Sequence, residues 1–214
     1  MTAKPHFPPT PFATKRARGF DRRRALLLLL GGAGLLPACG SSPPVRLYRL
    51  SSAPPLPSPA PSAKAAEIWQ LMLPVRIPDY LDRQALLLPQ GDSGMLASSQ
   101  LRWAESLREA VPRVLREDLA LLRGEDRIWT APLPPGLAVA RALRVELLAF
   151  DVEAERRSVR LQARWSLVDP TGTLAPRTGI AGFSEPAQGG RVEDLVAAHR
   201  LALWHLAERV AATP

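Results

Sequence analysis

Cysteine is almost missing from this 214-residue chain: Cys39 is the only one. No intramolecular disulfide can form and no cysteine pair can clip a metal ion. Histidine is scarce as well, with three residues. Two of them, His199 and His205, lie six positions apart, about 240 degrees around a helix, so they cannot ligate one metal from one face. No apolar run reaches the roughly 20 residues that a membrane-spanning helix needs. The longest, residues 25–36, is interrupted by Gly31, Gly32 and Gly34. There is no Gly-rich phosphate loop, and the acidic residues are scattered among arginines without a D-x-D spacing. The tetrapeptide Gly91-Asp92-Ser93-Gly94 has the form of a serine-protease nucleophile motif, but the histidine base must precede it, and the only upstream histidine is His6. An esterase arrangement near the C-terminus fails on spacing, because Asp194 and His199 are five apart. A hairpin tip is the reading that turn chemistry favours for this tetrapeptide. These absences argue against an enzyme and supply no cofactor or metal site.

What is present begins with the leader. Lys15, Arg16, Arg18, Arg22, Arg23 and Arg24 form a basic segment, the apolar run comes next, and small residues lead to Cys39. That is the layout of an export signal over residues 1–38. Leu36, Pro37, Ala38 and Cys39 resemble a bacterial lipobox, in which Cys39 is diacylated on sulfur and becomes the first mature residue. The paired arginines are compatible with either Sec or Tat export. The whole chain has 28 basic and 20 acidic residues, but residues 1–38 hold seven of the bases and only Asp21 among the acids. Residues 39–214 carry 21 bases against 19 acids, so the high isoelectric point belongs largely to the leader and a nucleic-acid partner loses its main support.

After Cys39 come a short tether, a candidate strand at residues 45–50 and a proline-rich segment at 51–63; together, residues 39–66 read as a lipidated tether. Proline-rich sequence favours extended polyproline geometry at about 3.1 Å per residue, so this segment is either a spacer or a loop. Which of the two depends on whether the strand before it pairs with the body. Residues 67–214 read as the globular domain. "EIWQLMLPVRI" is a buried strand by its large apolar residues, and "ALLLPQGDSGMLASSQLRW" is a hairpin turning at Gly91 to Gly94. Residues 105–123 place Leu107, Val111, Val114, Leu115, Asp118, Leu119 and Leu122 at helical spacing, with Pro112 either kinking the helix or opening its regular part, and Gly124 as a stop. Next are a short strand at 128–130 and a long one in "RALRVELLAFDVEA". In "SVRLQARWSLV", Val159, Leu161, Ala163, Trp165 and Leu167 alternate with Arg160, Gln162, Arg164 and Ser166, which predicts a half-buried antiparallel strand turning at "DPTG". The closing segment puts Val192, Leu195, Val196, His199, Leu203, Leu206 and Val210 on one helix face. His199 on that face, like Trp103 and Trp165, is expected in the core. The pattern predicts a single α+β domain: a largely antiparallel mixed sheet with two amphipathic helices packed on one face.

One set of motifs carries a resemblance. "LYRL" at 47–50, "LPVRIPDYLDR" at 73–83, "RWAESL" at 102–107 and "ARWSLVD" at 163–169 together resemble the ABC-type transport auxiliary lipoprotein family, also called DUF330. The likeness spans residues 47 to about 211. Its most specific part is Arg76, Pro78, Tyr80 and Leu81 combined with Trp103, Ala104 and Glu105; Ser106 replaces a proline usual in the family. The resemblance implies a non-catalytic outer-membrane lipoprotein, facing the periplasm, that works with an MCE-domain protein and inner-membrane transporter components to move phospholipid between membranes and support outer-membrane integrity. Gly40 after Cys39, in place of the aspartate that retains lipoproteins in the inner membrane, agrees with that location. Homo-oligomerisation is left open. A structural or assembly-chaperone lipoprotein of the outer membrane is the alternative.

In physical terms Pro78 biases Ile77 towards an extended conformation and places Tyr80 on a rigid turn. A rigid aromatic between Arg76 and Arg83 suits a protein interface, so Arg76, Pro78, Tyr80, Leu81 and Arg83 are candidate partner-binding residues. The competing expectation is that Tyr80 and Leu81 cap the core while the arginines pair with Asp79 and Asp82.

Overall fold

Three long strands in the second half of the chain organise the structure, a computed structural model that describes residues 43–51, 53–57 and 67–213. The expected leader at residues 1–38, Cys39 and much of the proline-rich segment lie outside the described residues. Strand β6 (Arg141–Val152), β7 (Ser158–Val168) and β8 (Arg177–Pro186) form an antiparallel meander. Their alternation is the reason: every second β7 residue from Val159 to Leu167 is buried. β6 keeps its apolar residues inward by means of a bulge. Leu147 pairs with Ala163 and Ala149 with Gln162, so Leu148 is the extra residue and the inward set passes from Val145 and Leu147 to Phe150 and Val152. The β7–β8 connection is organised by Asp169, whose carboxylate accepts from the backbone N–H groups of Thr171, Thr173 and Leu174 at 2.9, 3.0 and 2.9 Å.

The short strand β2 (Trp69–Leu71) adds parallel to β6, and β5 (Ile128–Trp129) adds parallel to β2, giving a five-stranded sheet in the order β5-β2-β6-β7-β8. The long buried strand expected from "EIWQLMLPVRI" is therefore only three residues. Pro74 follows a cis peptide bond with Leu73, and the chain lifts off the sheet before returning at a single bridge between Arg76 and Glu146. Proline cannot donate to the ladder, which accounts for the interruption.

Strands β3 (Ala85–Gln90) and β4 (Gly94–Trp103) form the expected hairpin, and the first strand, β1 (Arg46–Tyr48), lies parallel to the end of β4. The strands thus divide between two sheets, of five and three strands, instead of joining one. Residues 45–50 do belong to the body. Leu50 is 1% exposed in the core, Arg113 donates to its carbonyl at 3.1 Å, and Arg200 donates to the Ser51 carbonyl at 2.7 Å. The proline-rich segment consequently connects two fixed points of one body. At its far end Glu67 receives Arg177 in a two-pronged pair at 3.0 and 3.2 Å, while the Arg123 guanidinium lies 3.4 Å over the Trp69 ring.

Helix α1 (Leu107–Arg123) and α2 (Val192–Ala211) close the core. α1 buries Leu107, Val111, Val114, Leu115, Leu119 and Leu122, the i, i+3, i+4 set of the sequence. It begins at Leu107, so Pro112 lies inside the helix, one turn beyond its start. The lost backbone donor there is outweighed by the apolar face on both sides of it. Gly124 ends α1 with φ 112°, a value only glycine adopts readily, and its N–H bonds to the Ala120 carbonyl at 2.8 Å. In α2 the Asp194 side chain reaches back to the Arg191 N–H at 3.0 Å. Trp103, Trp165 and His199 are buried as their positions on apolar faces imply.

Candidate functional site

The stretch 76–83 leaves the five-stranded sheet and enters the β3–β4 hairpin, and its residues part company on the way. Arg76 is stitched to β6 by backbone bonds, its N–H donating to the Val145 carbonyl at 3.2 Å and its carbonyl accepting from Leu147 at 2.8 Å. Its side chain is exposed. Ile77 and Leu81 turn into the core. Pro78 precedes a single 3₁₀ turn, Asp79–Leu81, closed by a bond from the Leu81 N–H to the Pro78 carbonyl at 3.0 Å. Tyr80, half-buried, packs against the core and donates its hydroxyl to both oxygens of Asp151 at 2.8 and 2.9 Å. Burial raises the Tyr80 phenol above its ordinary range, and the Asp151 carboxylate adds to the effect. The two aspartates of the turn face Arg108 of α1: its Nε donates to Asp82 at 2.8 Å, and Asp79 lies 4.0 Å from the same guanidinium. Arg83 is exposed beyond the turn.

The five candidate residues are therefore not one patch. Pro78, Tyr80 and Leu81 hold the turn against the core, while Arg76 stands on the open face of the five-stranded sheet. There it meets a groove of about 860 Å³ that sequence reading did not assemble. Its floor carries Arg144 and Glu146 from β6, Arg164 and Ser166 from β7, and Thr178 and Ile180 from β8; the loop Met72–Pro74 forms a wall. Arg164 Nε donates to Glu146 at 2.7 Å, so one carboxylate answers three arginines and the groove is net positive. Leu73 and Ile180 add exposed apolar surface, 51% and 72% accessible. Guanidinium groups beside aliphatic side chains suit an acidic, partly apolar ligand or segment. The polar half of the β7 alternation was the available signal for Arg164. Arg144, Glu146 and Ile180 come together only through strand register.

Elsewhere the titratable groups serve packing. His199 is buried between Trp103 and Phe150, with ring centroids 5.4 and 4.8 Å away, and its Nδ1 lies 2.8 Å from the Leu195 carbonyl. Burial pushes its imidazole down to about 4. His205 Nδ1 is 2.6 Å from Glu185. The tetrapeptide from Gly91 to Gly94 sits at the tip of the β3–β4 hairpin, as expected. Among the described residues no group of three or more His, Cys, Asp or Glu side chains is placed to hold a metal, and no helix is long and apolar enough to cross a membrane.

Comparison with known proteins bears on both fold and family. A solved structure of an uncharacterised protein superposes with a TM-score of 0.59 at 18% identity, covering 79% of this chain and 97% of that one. A DUF330 protein from Xanthomonas campestris superposes equally well, with a TM-score of 0.59 at 11% identity over 78% of this chain and 92% of its own. Identities so low show the shared fold alone. No curated relative matches by sequence. The family model described as "ABC-type transport auxiliary lipoprotein component" matches residues 48–211, nearly the whole folded body. The chain belongs to the ABC-type transport auxiliary lipoprotein family.

Proposed function

We propose that this protein is a non-catalytic, lipid-anchored component of an MCE/ABC-type intermembrane lipid transport system, held on the periplasmic side of the outer membrane through acylated Cys39. The observation that carries the reading is the family match over residues 48–211, which begins nine residues after the lone cysteine of a lipobox-like sequence. Two further features support it. Gly40 lacks the charge associated with retention in the inner membrane, and the groove around Arg76, Arg144 and Arg164 offers a docking surface for an acidic segment of the MCE-domain protein. In this reading Arg76 makes the contact, while Arg83 is exposed beyond the turn and outside the groove. Pro78, Tyr80 and Leu81 hold the turn against the core and stand outside the contact.

The test is copurification in mild detergent of the acylated protein with an MCE-domain partner, read by mass spectrometry, beside density-gradient fractionation of membranes. The expected result is an outer-membrane protein that captures the partner, with capture lost in Arg76→Glu/Arg144→Glu at unchanged melting temperature. A mature N-terminus without acyl chains, or capture indifferent to the two arginines, defeats the corresponding half of the proposal.

A further inference from the structure

The small three-stranded sheet differs from the rest of the molecule in charge. Strands β1, β3 and β4 contain no aspartate or glutamate; their charged residues are Arg46 and Arg102, with Arg49 immediately after β1. Large apolar side chains are also left exposed there: Val45 at 51%, Leu47 at 65%, and Met95 and Leu96 in the first part of β4. Within β1, Tyr48 packs on the core, so Leu47 points the opposite way by strand alternation. Leu47 is in register with Arg102, which places an arginine beside the exposed leucine on that outer face.

Chain length decides what can cover this face. β1 is rigidly part of the body: it pairs with β4, the Tyr48 carbonyl accepts from Ala104 at 2.6 Å, and Arg113 and Arg200 hold the carbonyls of Leu50 and Ser51. Only six residue steps separate Cys39 from Val45, a reach of about 20 Å at full extension. A body of this size is about 40 Å across. A tether shorter than the body it holds cannot let the body present any face to the bilayer; the face next to the attachment point lies nearest.

We propose that the outer face of this sheet, centred on Leu47, Arg49 and Arg102, rests on the anionic phospholipid surface to which the protein is anchored, a reading that depends on the acylation of Cys39 proposed above. Exposed apolar side chains flanked by arginines are what an interfacial contact requires: aliphatic groups enter the headgroup boundary while guanidinium groups meet phosphates. The contact fixes the body's orientation, so that the Arg76 groove, on the other sheet, is displayed by a seated domain.

Because the body has no cysteine, a single introduced thiol can be labelled in the acylated protein, where Cys39 is blocked. Leu47→Cys and, as a control on the other sheet, Ile180→Cys would each carry an environment-sensitive fluorophore in vesicles of phosphatidylethanolamine and phosphatidylglycerol. The expected result is a blue shift and quenching by a lipid-borne quencher at position 47 but not at 180, with loss of both effects in Arg49→Glu/Arg102→Glu. Equal access of an aqueous quencher to both positions, or lipid quenching at 180 instead, overturns the proposal. Acylation is checked separately: if intact mass shows an unmodified chain that does not float with vesicles, the anchoring reading has failed, whereas an acylated, floating protein with a water-exposed label at 47 defeats only the orientation.

Discussion

Arg200 of α2 and Asp118 of α1 form a two-pronged pair, with Nη1 and Nη2 at 2.8 and 2.5 Å from the two carboxylate oxygens, and both side chains are at most 5% exposed. Burial pushes the Asp118 carboxyl up to about 6 even against the pull of Arg200, so at this site desolvation outweighs pairing. Removing one partner strands the other: Asp118→Ala should cost about 3–5 kcal/mol. The double change Asp118→Leu/Arg200→Met should recover most of that loss. It should not recover the bond from Arg200 to the Ser51 carbonyl. Denaturant unfolding of the three variants, with limited proteolysis near residues 51–57, checks both parts; a double variant as unstable as the single one would contradict them.

Tyr80 is tied inward, and its substitution should register in stability. Tyr80→Phe removes the donor to partly buried Asp151 and should cost about 1–2 kcal/mol. Tyr80→Ala should cost about 3 kcal/mol. Partner capture by whatever fraction remains folded should be unchanged in both. Full stability with lost capture would return Tyr80 to the interface.

His199 makes the fold sensitive to acid. Its folded-state imidazole is held near 4, below the ordinary 6.5 of an unfolded chain. Above about 6.5 it is neutral in both states and has no effect. As pH falls from 6.5 towards 4 only the unfolded state gains this proton, so the His199 contribution falls by about 3 kcal/mol across the window, while Asp118, protonated first in the folded state, contributes with the opposite sign. His199→Leu should remove the His199 contribution alone, so that the variant gains stability relative to the parent as pH falls, since the Leu195 carbonyl keeps its ordinary helical partner. Unfolding free energies at pH 7, 6 and 5 for both proteins decide the matter; parallel pH profiles would remove His199 as the cause.

Much of the fold was legible because one physical signal dominated each element. β7 could be read residue by residue, since alternation maps directly onto a strand with one buried face, and both helices could be placed from their apolar spacing. β2 was overextended because large apolar residues mark burial, and burial continues through Val75 and Ile77 after the ladder has been broken at Pro74. The division into two sheets was not legible, since no local pattern states which strands bond to which. The site divides the same way. "RIPDYL" marked a rigid turn correctly, but whether Tyr80 faces a partner or Asp151 is a matter of tertiary placement. The groove depends on Arg76, Arg144 and Arg164 arriving from three segments, a coincidence of register that no single stretch contains.

The two linking segments of the N-terminal region should respond oppositely to changes of length. The proline-rich segment joins Ser51, held by Arg200, to Glu67, held by Arg177, within one body. It therefore cannot set how far the domain stands from the anchor proposed at Cys39. Deleting a few of its prolines should leave function intact, and stability nearly so, because loop-closure entropy changes by only about 0.6 kcal/mol per twofold change in length. If Cys39 is acylated as proposed, the residues between it and β1 set that distance instead. Inserting ten Gly and Ser residues after Ser42 adds up to about 35 Å of reach without touching a packed residue. The melting temperature should stay the same. The body would no longer be held against the membrane, and outer-membrane permeability measured in cells should rise towards that of a strain lacking the protein. If the insertion is functionally silent while the proline-rich deletion is not, the segment at 51–63 has a role in partner contact and the short tether has none.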